Sequence, residues 1–301
     1  CGLVNHGNTC YMNTAITCLS NTIPSTFYFL NKYHLEVLNE DCKEADFLIQ
    51  WVKLIDGIWE ENCTISPESF IKSTKMLSFK TDNIFHYRHQ QDVSEFIIFI
   101  INNIHEALAK KTTIQISNSI DQIDKKYQKL IRESQDNWSL HFKDSYSFII
   151  ELFYGQFVSI VQTIDELPME SSFSYEPFCT LELEIPDQHC TIYDCFDLMT
   201  QESMLTKDNK WYSDTTKSYR DAKRSILILR NPNILIICLK RFNRNNSKKK
   251  NLVKFPVNNF DLGKYTLKLS NTQVCNYNLY AVANHLGDSN YGHYISYCKN
   301  Y

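Results

Sequence analysis

What this sequence lacks narrows its class before any motif is read. No apolar run in the 301 residues exceeds the six at 96–101 and 234–239, far short of a membrane span. The formal net charge is −3, too small to draw nucleic acid or an anionic membrane surface. Eleven cysteines are present, but none stand in a Cys-x-x-Cys pair, and an odd number without regular spacing argues against a disulfide framework. Reduced thiols fit a cytosolic or nuclear setting. The initiator methionine is missing too, and the chain reads as a domain excised from a longer protein. What is plentiful is core material, 43% hydrophobic and 13% aromatic, enough for one elaborate domain or two.

The first twenty residues carry the densest chemistry. In Gly2-Leu3-Val4-Asn5-His6-Gly7-Asn8-Thr9-Cys10-Tyr11-Met12-Asn13 a polar loop of turn and cap composition leads into a helix. Tyr11, Ala15, Ile16, Cys18 and Leu19 recur at the helical period. Asn8 or Thr9 is the natural N-cap, which places Cys10 in the first turn. A thiol there feels the positive end of the helix dipole, and the nearby N–H groups are suited to an oxyanion. Asn5 adds a side-chain donor. Most cysteines in such a chain are small buried hydrophobes, so position alone leaves Cys10 open between the two roles.

Residues 47–59 carry another helical stripe, and Ser66-Pro67-Glu68 starts a short helix. Gln90-Gln91-Asp92-Val93-Ser94-Glu95-Phe96 opens a longer helix; acids in a first turn are also a common structural device. Residues 110–147 suggest one or two exposed helices. From Ser147 to Phe157 the texture turns β-rich, followed by strands at 178–186, a short helix near 194–202 and a charged loop at 207–214. Strands are expected at 226–229 and 233–242, the second apolar enough for a central position covered on both faces. The basic stretch 244–250 reads as a solvated hairpin loop. Finally, Tyr280-Ala281-Val282-Ala283-Asn284-His285 and Tyr291-Gly292-His293-Tyr294-Ile295-Ser296-Tyr297 read as strands joined by 286–290. His293 starts a strand beside a glycine, where backbone can pass close to a substrate.

These stretches resemble, in order, the motifs of the ubiquitin-specific proteases. The first matches their cysteine box and Gln-Gln-Asp-x-x-Glu-Phe a second box about eighty residues on. Leu239-Lys240-Arg241-Phe242 and Lys254-Phe255-Pro256-Val257 match two more, and His285 to Tyr294 the histidine box. The resemblance implies an α+β, papain-like right hand over residues 1–301. Its parts would be a helical thumb (about 1–147), β fingers (about 148–230) and a β palm (about 231–301). It implies a catalytic domain that hydrolyses the bond after ubiquitin's terminal glycine. Cys10 would be nucleophile, His293 general base and Asn5 oxyanion donor, while Gln91, Asp92, Glu95, His285 and Tyr294 would hold ubiquitin's arginine-bearing tail.

No cofactor, nucleic acid or membrane is implied, and the enzyme is expected to act as a monomer on ubiquitin or ubiquitinated proteins. Many relatives carry two Cys-x-x-Cys pairs at the fingertips; the matching positions here are Gln162, Asp165, Trp211 and Asp214, so no zinc is expected. Two other readings remain: a peptidase for a ubiquitin-like modifier, and a catalytically weak ubiquitin-binding module. A histidine base also needs a third group to orient it. After His293 the only Asn or Asp is Asn300, and seven extended residues put it roughly 23 Å away. The expectation is that the native chain continues past Tyr301 and supplies that group there.

Overall fold

The computed structural model describes residues 1–60, 62–80, 85, 90–114, 125–164, 169–243, 247–267, 275–288 and 291–300. The first half is helical. A short strand β1 (Gly2–Leu3) precedes α1 (Cys10–Ser20), α2 (Ile23–Leu30) and α3 (Ala45–Glu60), and pairs in parallel with β2 (Thr64–Ile65). Then come α4 (Glu68–Lys80), α5 (Val93–Leu108), α6 (Lys125–Phe142) and α7 (Phe148–Phe153). The apolar stripes meet in one core, where Tyr11, Met12 and Ile16 of α1 pack with Phe47, Trp51, Phe70, Phe96 and Ile100. Tyr11 meets Phe96 edge-on at 5.3 Å between ring centroids. An eleven-residue helix is marginal alone, but each large side chain buried adds about 1.5–3 kcal/mol, so packing holds α1 in place.

Two expectations change here. Residues 148–153 are helical: Ser147 accepts the Ile149 N–H at 3.2 Å and caps α7. A short apolar run fits a strand and a buried helix equally well, and the cap decides. Nor is α6 simply exposed. Its Leu130 and Ile131 pack on Val158 and Leu229, and its Trp138 and Phe142 on Ile150. Ile120 and Ile123 of the same expectation lie outside the described residues.

The second half is built on β3 (Gly155–Thr163), β4 (Ser171–Phe178), β5 (Thr180–Glu184), β6 (Cys190–Thr191), α8 (Ile192–Thr200), β7 (Ser203–Leu205), β8 (Trp211–Ser213), β9 (Ser218–Arg220) and β10 (Ala222–Arg230). After these come β11 (Ile236–Lys240), β12 (Val253–Lys254), β13 (Phe260–Asp261), β14 (Asn276–Tyr277), β15 (Ala281–Gly287) and β16 (Gly292–Cys298). An antiparallel sheet has the order β4-β3-β10-β7. Strand β11 pairs with β5 alone among the described residues, so it is not central in a wide sheet. It is covered on both faces, as its apolar run implies. Ile234 and Ile236 face the helical core, while Leu235, Ile237 and Leu239 face a second one around Leu181, Leu183, Phe196 and Tyr265.

At the tips of this half, the hairpins β3–β4 and β8–β9 are joined through Glu170. Its carboxylate receives Arg220 Nη1 at 2.8 Å and Ser213 Oγ at 2.7 Å, with Arg220 7% and Glu170 13% exposed. Among the positions matched to a fingertip metal, Gln162 donates to Met169 Sδ and Asp214 pairs with Lys217. Asp165 lies outside the described residues. Among the described residues no group of three or more His, Cys, Asp or Glu side chains is placed to hold a metal ion. The basic stretch is only partly the solvated loop expected. Lys248 and Lys249 are half-buried and bonded to neighbouring segments, whereas Lys250 is exposed; 244–246 lie outside the described residues.

Candidate active site

The loop before α1 is folded by its own polar side chains. Thr9 occupies the N-cap position, but its hydroxyl does not cap the helix. It accepts the His6 N–H at 2.9 Å and donates to Asn5 Oδ1 at 2.9 Å, and Asn5 Oδ1 also takes the Thr9 N–H at 3.2 Å. Asn5 therefore uses its oxygen inward and keeps its Nδ2 hydrogens as donors. Thr9 C=O takes the Asn13 N–H at 2.9 Å, the first bond of the helix. Among the described residues the N–H groups of Cys10, Tyr11 and Met12 have no acceptor. Cys10 thus sits at the first helical position, 7% exposed, on a terminus whose donors are open.

The β15–β16 hairpin lies along α1. At the far end of the helix Thr22 Oγ1 meets the Tyr280 hydroxyl at 2.7 Å, and the Cys298 thiol faces Thr17 C=O at 3.8 Å. At the near end Tyr294 is close enough to Cys10 for the two to interact electrostatically. The Tyr294 phenol is pushed well above its ordinary value by burial first, then by Asp92, with Cys10 adding to it. His293, one residue earlier, thus lies at the Cys10 end of α1. By strand alternation it points to the opposite face from Tyr294 and is exposed. Among the described residues its ring has no hydrogen-bond partner, and none joins it to Cys10. Asn300 lies beyond Cys298, at the end of the strand away from His293.

The second box meets this hairpin. Asp92 caps α5: its Oδ1 accepts Ser94 N–H at 2.7 Å and Glu95 N–H at 3.3 Å. The capping role and a contact with the histidine hairpin coexist, because Oδ2 faces the Tyr294 hydroxyl at 3.5 Å. The Glu95 carboxyl is raised by burial first, then by Asp92 and Glu182. Gln91 is half-buried beside Asp92. The His285 ring packs 4.6 Å from that of Tyr294 and fills the space a Cβ on Gly292 would need. The glycine beside His293 thus admits a protein side chain to that face of the hairpin.

Sequence reasoning missed three residues. Gln90 reaches both backbone groups of Gly292: its Nε2 donates to the carbonyl at 3.1 Å and its Oε1 accepts the N–H at 3.3 Å. Glu182, on the exposed side of β5, adds a third acid near Asp92 and Glu95. The Thr-Leu-Glu-Leu-Glu alternation was a usable signal for its exposure. Lys248 grips the hairpin from the other side, with nothing local to announce it.

The profile of the ubiquitin carboxyl-terminal hydrolase family matches residues 1–301. Ubiquitin carboxyl-terminal hydrolase Usp2 of Drosophila melanogaster is 31% identical over 308 residues, covering 100% of this chain and 31% of that protein. Ubiquitin carboxyl-terminal hydrolase 2 of Homo sapiens is 31% identical over 312 residues, covering 99% of this chain and 49% of its own length. The chain thus spans between about a third and a half of these relatives. Among solved structures, the SAGA Ubp8/Sgf11/Sus1/Sgf73 DUB module bound to ubiquitin aldehyde contains a chain of like fold. Its TM-score is 0.73 at 22% identity, covering 99% of this chain and 62% of that one. With its cysteine box, second box and histidine hairpin meeting at one end of α1, the chain belongs to the ubiquitin carboxyl-terminal hydrolase family, in its ubiquitin-specific protease branch.

Proposed function

We propose that this chain is a cysteine-type deubiquitinase that cleaves the isopeptide or peptide bond after ubiquitin's C-terminal glycine. Cys10 attacks the scissile carbonyl, and His293 takes the thiol proton and returns it to the leaving amine. The Asn5 Nδ2 hydrogens and the open N–H groups of α1 receive the oxyanion. Asp92, Glu95 and Glu182 supply negative charge for the arginines of the tail, while Gln91, His285 and Tyr294 line its path. In this reading the helical half is the thumb, the long antiparallel sheet the fingers and the remaining strands the palm. The protein works as an intracellular monomer. The observation that carries the proposal is the helix terminus left uncapped at Cys10.

A fluorogenic ubiquitin C-terminal amide and a ubiquitin-derived electrophile test it. The parent should turn over the first and be labelled by the second at Cys10. Cys10→Ala should abolish both while ubiquitin binding persists, and Cys18→Ala should keep activity. Turnover in Cys10→Ala would refute the nucleophile assignment. One observation favours a second reading, a weakly active ubiquitin-binding module: the His293 ring lacks a described partner. Binding without labelling would select it.

A further inference from the structure

The lysine run left over from the sequence has a use at the histidine hairpin. Lys248 directs all three of its ammonium donors onto one short segment: His285 Nδ1 at 2.9 Å, His285 C=O at 2.8 Å and Gly287 C=O at 2.9 Å. Those carbonyls flank Leu286, and Leu286 is the residue paired with His293 across the ladder. Gly287 has φ +107°, a conformation glycine adopts without strain. From the other side Gln90 holds both backbone groups of Gly292, the partner of Gly287. His293 is therefore framed by two side chains reaching in from distant segments. Lys248 is itself fixed by a bridge to Phe242 and by the Asn243 N–H to Ser247 C=O bond of 2.9 Å.

We propose that Lys248 is a positioning residue for the reaction. It clamps the strand segment opposite His293 and sets the tautomer of His285. This rests on the hydrolase reading above. Because an ammonium only donates, Nδ1 of His285 must accept, so the ring is neutral and carries its proton on Nε2, beside Gly292 and Tyr294. The charges around His285 are Lys248, Asp92 and Asp288, with the Phe242 and Tyr294 rings against it. Burial and then Lys248 hold its pKa below the ordinary value, outweighing the two aspartates. Lys250 is a built-in control. Among the described residues it pairs only with Asp288, at 2.8 Å, with side chains 72% and 69% exposed.

The test uses Lys248→Met, Lys250→Met and the parent. In the parent, NMR titration should place His285 below the ordinary histidine value; in Lys248→Met it should move up toward that value. With the fluorogenic ubiquitin amide, Lys248→Met should lower kcat about tenfold while KM changes less than about twofold, and Lys250→Met should match the parent. An unchanged kcat in Lys248→Met, or an equal loss in Lys250→Met, overturns the proposal. So does a parent His285 that titrates at or above its ordinary value, a readout that needs no folded variant. If the parent, extended past Tyr301 so that the expected orienting group is present, shows no turnover, the hydrolase reading fails, and the His285 titration still decides whether Lys248 is seated.

Discussion

Helices α1 and α5 both begin beside Tyr294 of the histidine hairpin, and they begin differently. At α5 the N-cap side chain does the ordinary work: Asp92 takes the N–H groups of Ser94 and Glu95. At α1 the N-cap hydroxyl turns backward to His6 and Asn5, and the first turn is left open around Cys10. The closed terminus fixes a carboxylate against the hairpin. The open one leaves donors that, on the proposed reading, receive a charge existing only during reaction. A cap is worth about 1 kcal/mol, and α1 forgoes it because its core packing is worth several times that.

The sharpest way to break this contrast is at Asp92. Asp92→Ala loses both cap and charge, so kcat/KM should fall by about tenfold or more and thermal stability should drop. Asp92→Ser keeps a capping oxygen and removes the charge. Its melting temperature should stay near the parent's while kcat/KM still falls, and unchanged kinetics in both variants would leave Asp92 a cap and nothing else. Next is Thr9→Ala, which removes the hydroxyl that Asn5 Oδ1 and the His6 N–H share, at a fully buried position, and leaves Asn5 Oδ1 only the residue 9 N–H. We expect kcat to fall about three- to tenfold, beside a stability loss of about 1–3 kcal/mol from the buried groups left unpaired; a stability loss with intact kcat would mean the loop bonds serve the fold alone.

The smallest effect is expected at Glu95. Its raised pKa means that folding disfavours the ionised form, so the group subtracts stability above the raised value. That penalty fades as pH falls from there toward the ordinary glutamate range. Glu95→Gln should therefore raise Tm slightly at neutral pH, on the order of 1 °C, while lowering kcat/KM. A lowered Tm would place Glu95 among the stabilising residues of α5.

Helices and site were not equally legible in the sequence. The stripes of α1, α3 and α5 announced their buried faces because periodicity is local. Residues 148–153 did not, since six apolar residues have no period long enough to separate strand from helix, and only the Ser147 cap bond settled it. The boxes located Cys10, Asp92 and the histidine strand. Gln90 was passed over although it stands in the same box, because its partner Gly292 is 202 residues away. Lys248 was read with its charged neighbours as solvated, and nothing in composition marks a lysine whose three acceptors are on another hairpin.

The seating of the histidine hairpin on α1 also orders events in time. The bond from the Cys298 thiol to Thr17 C=O spans 281 positions, and that from Thr22 to Tyr280 spans 258. The Glu170–Arg220 pin closes across only 50. During synthesis at about 5–20 residues per second, the cysteine helix waits roughly a quarter of a minute to a minute for its partner strand. The tip hairpins can close well before that. On the proposed reading, the nascent chain holds Cys10 without His293 until the hairpin arrives, so turnover cannot begin before β16 is made.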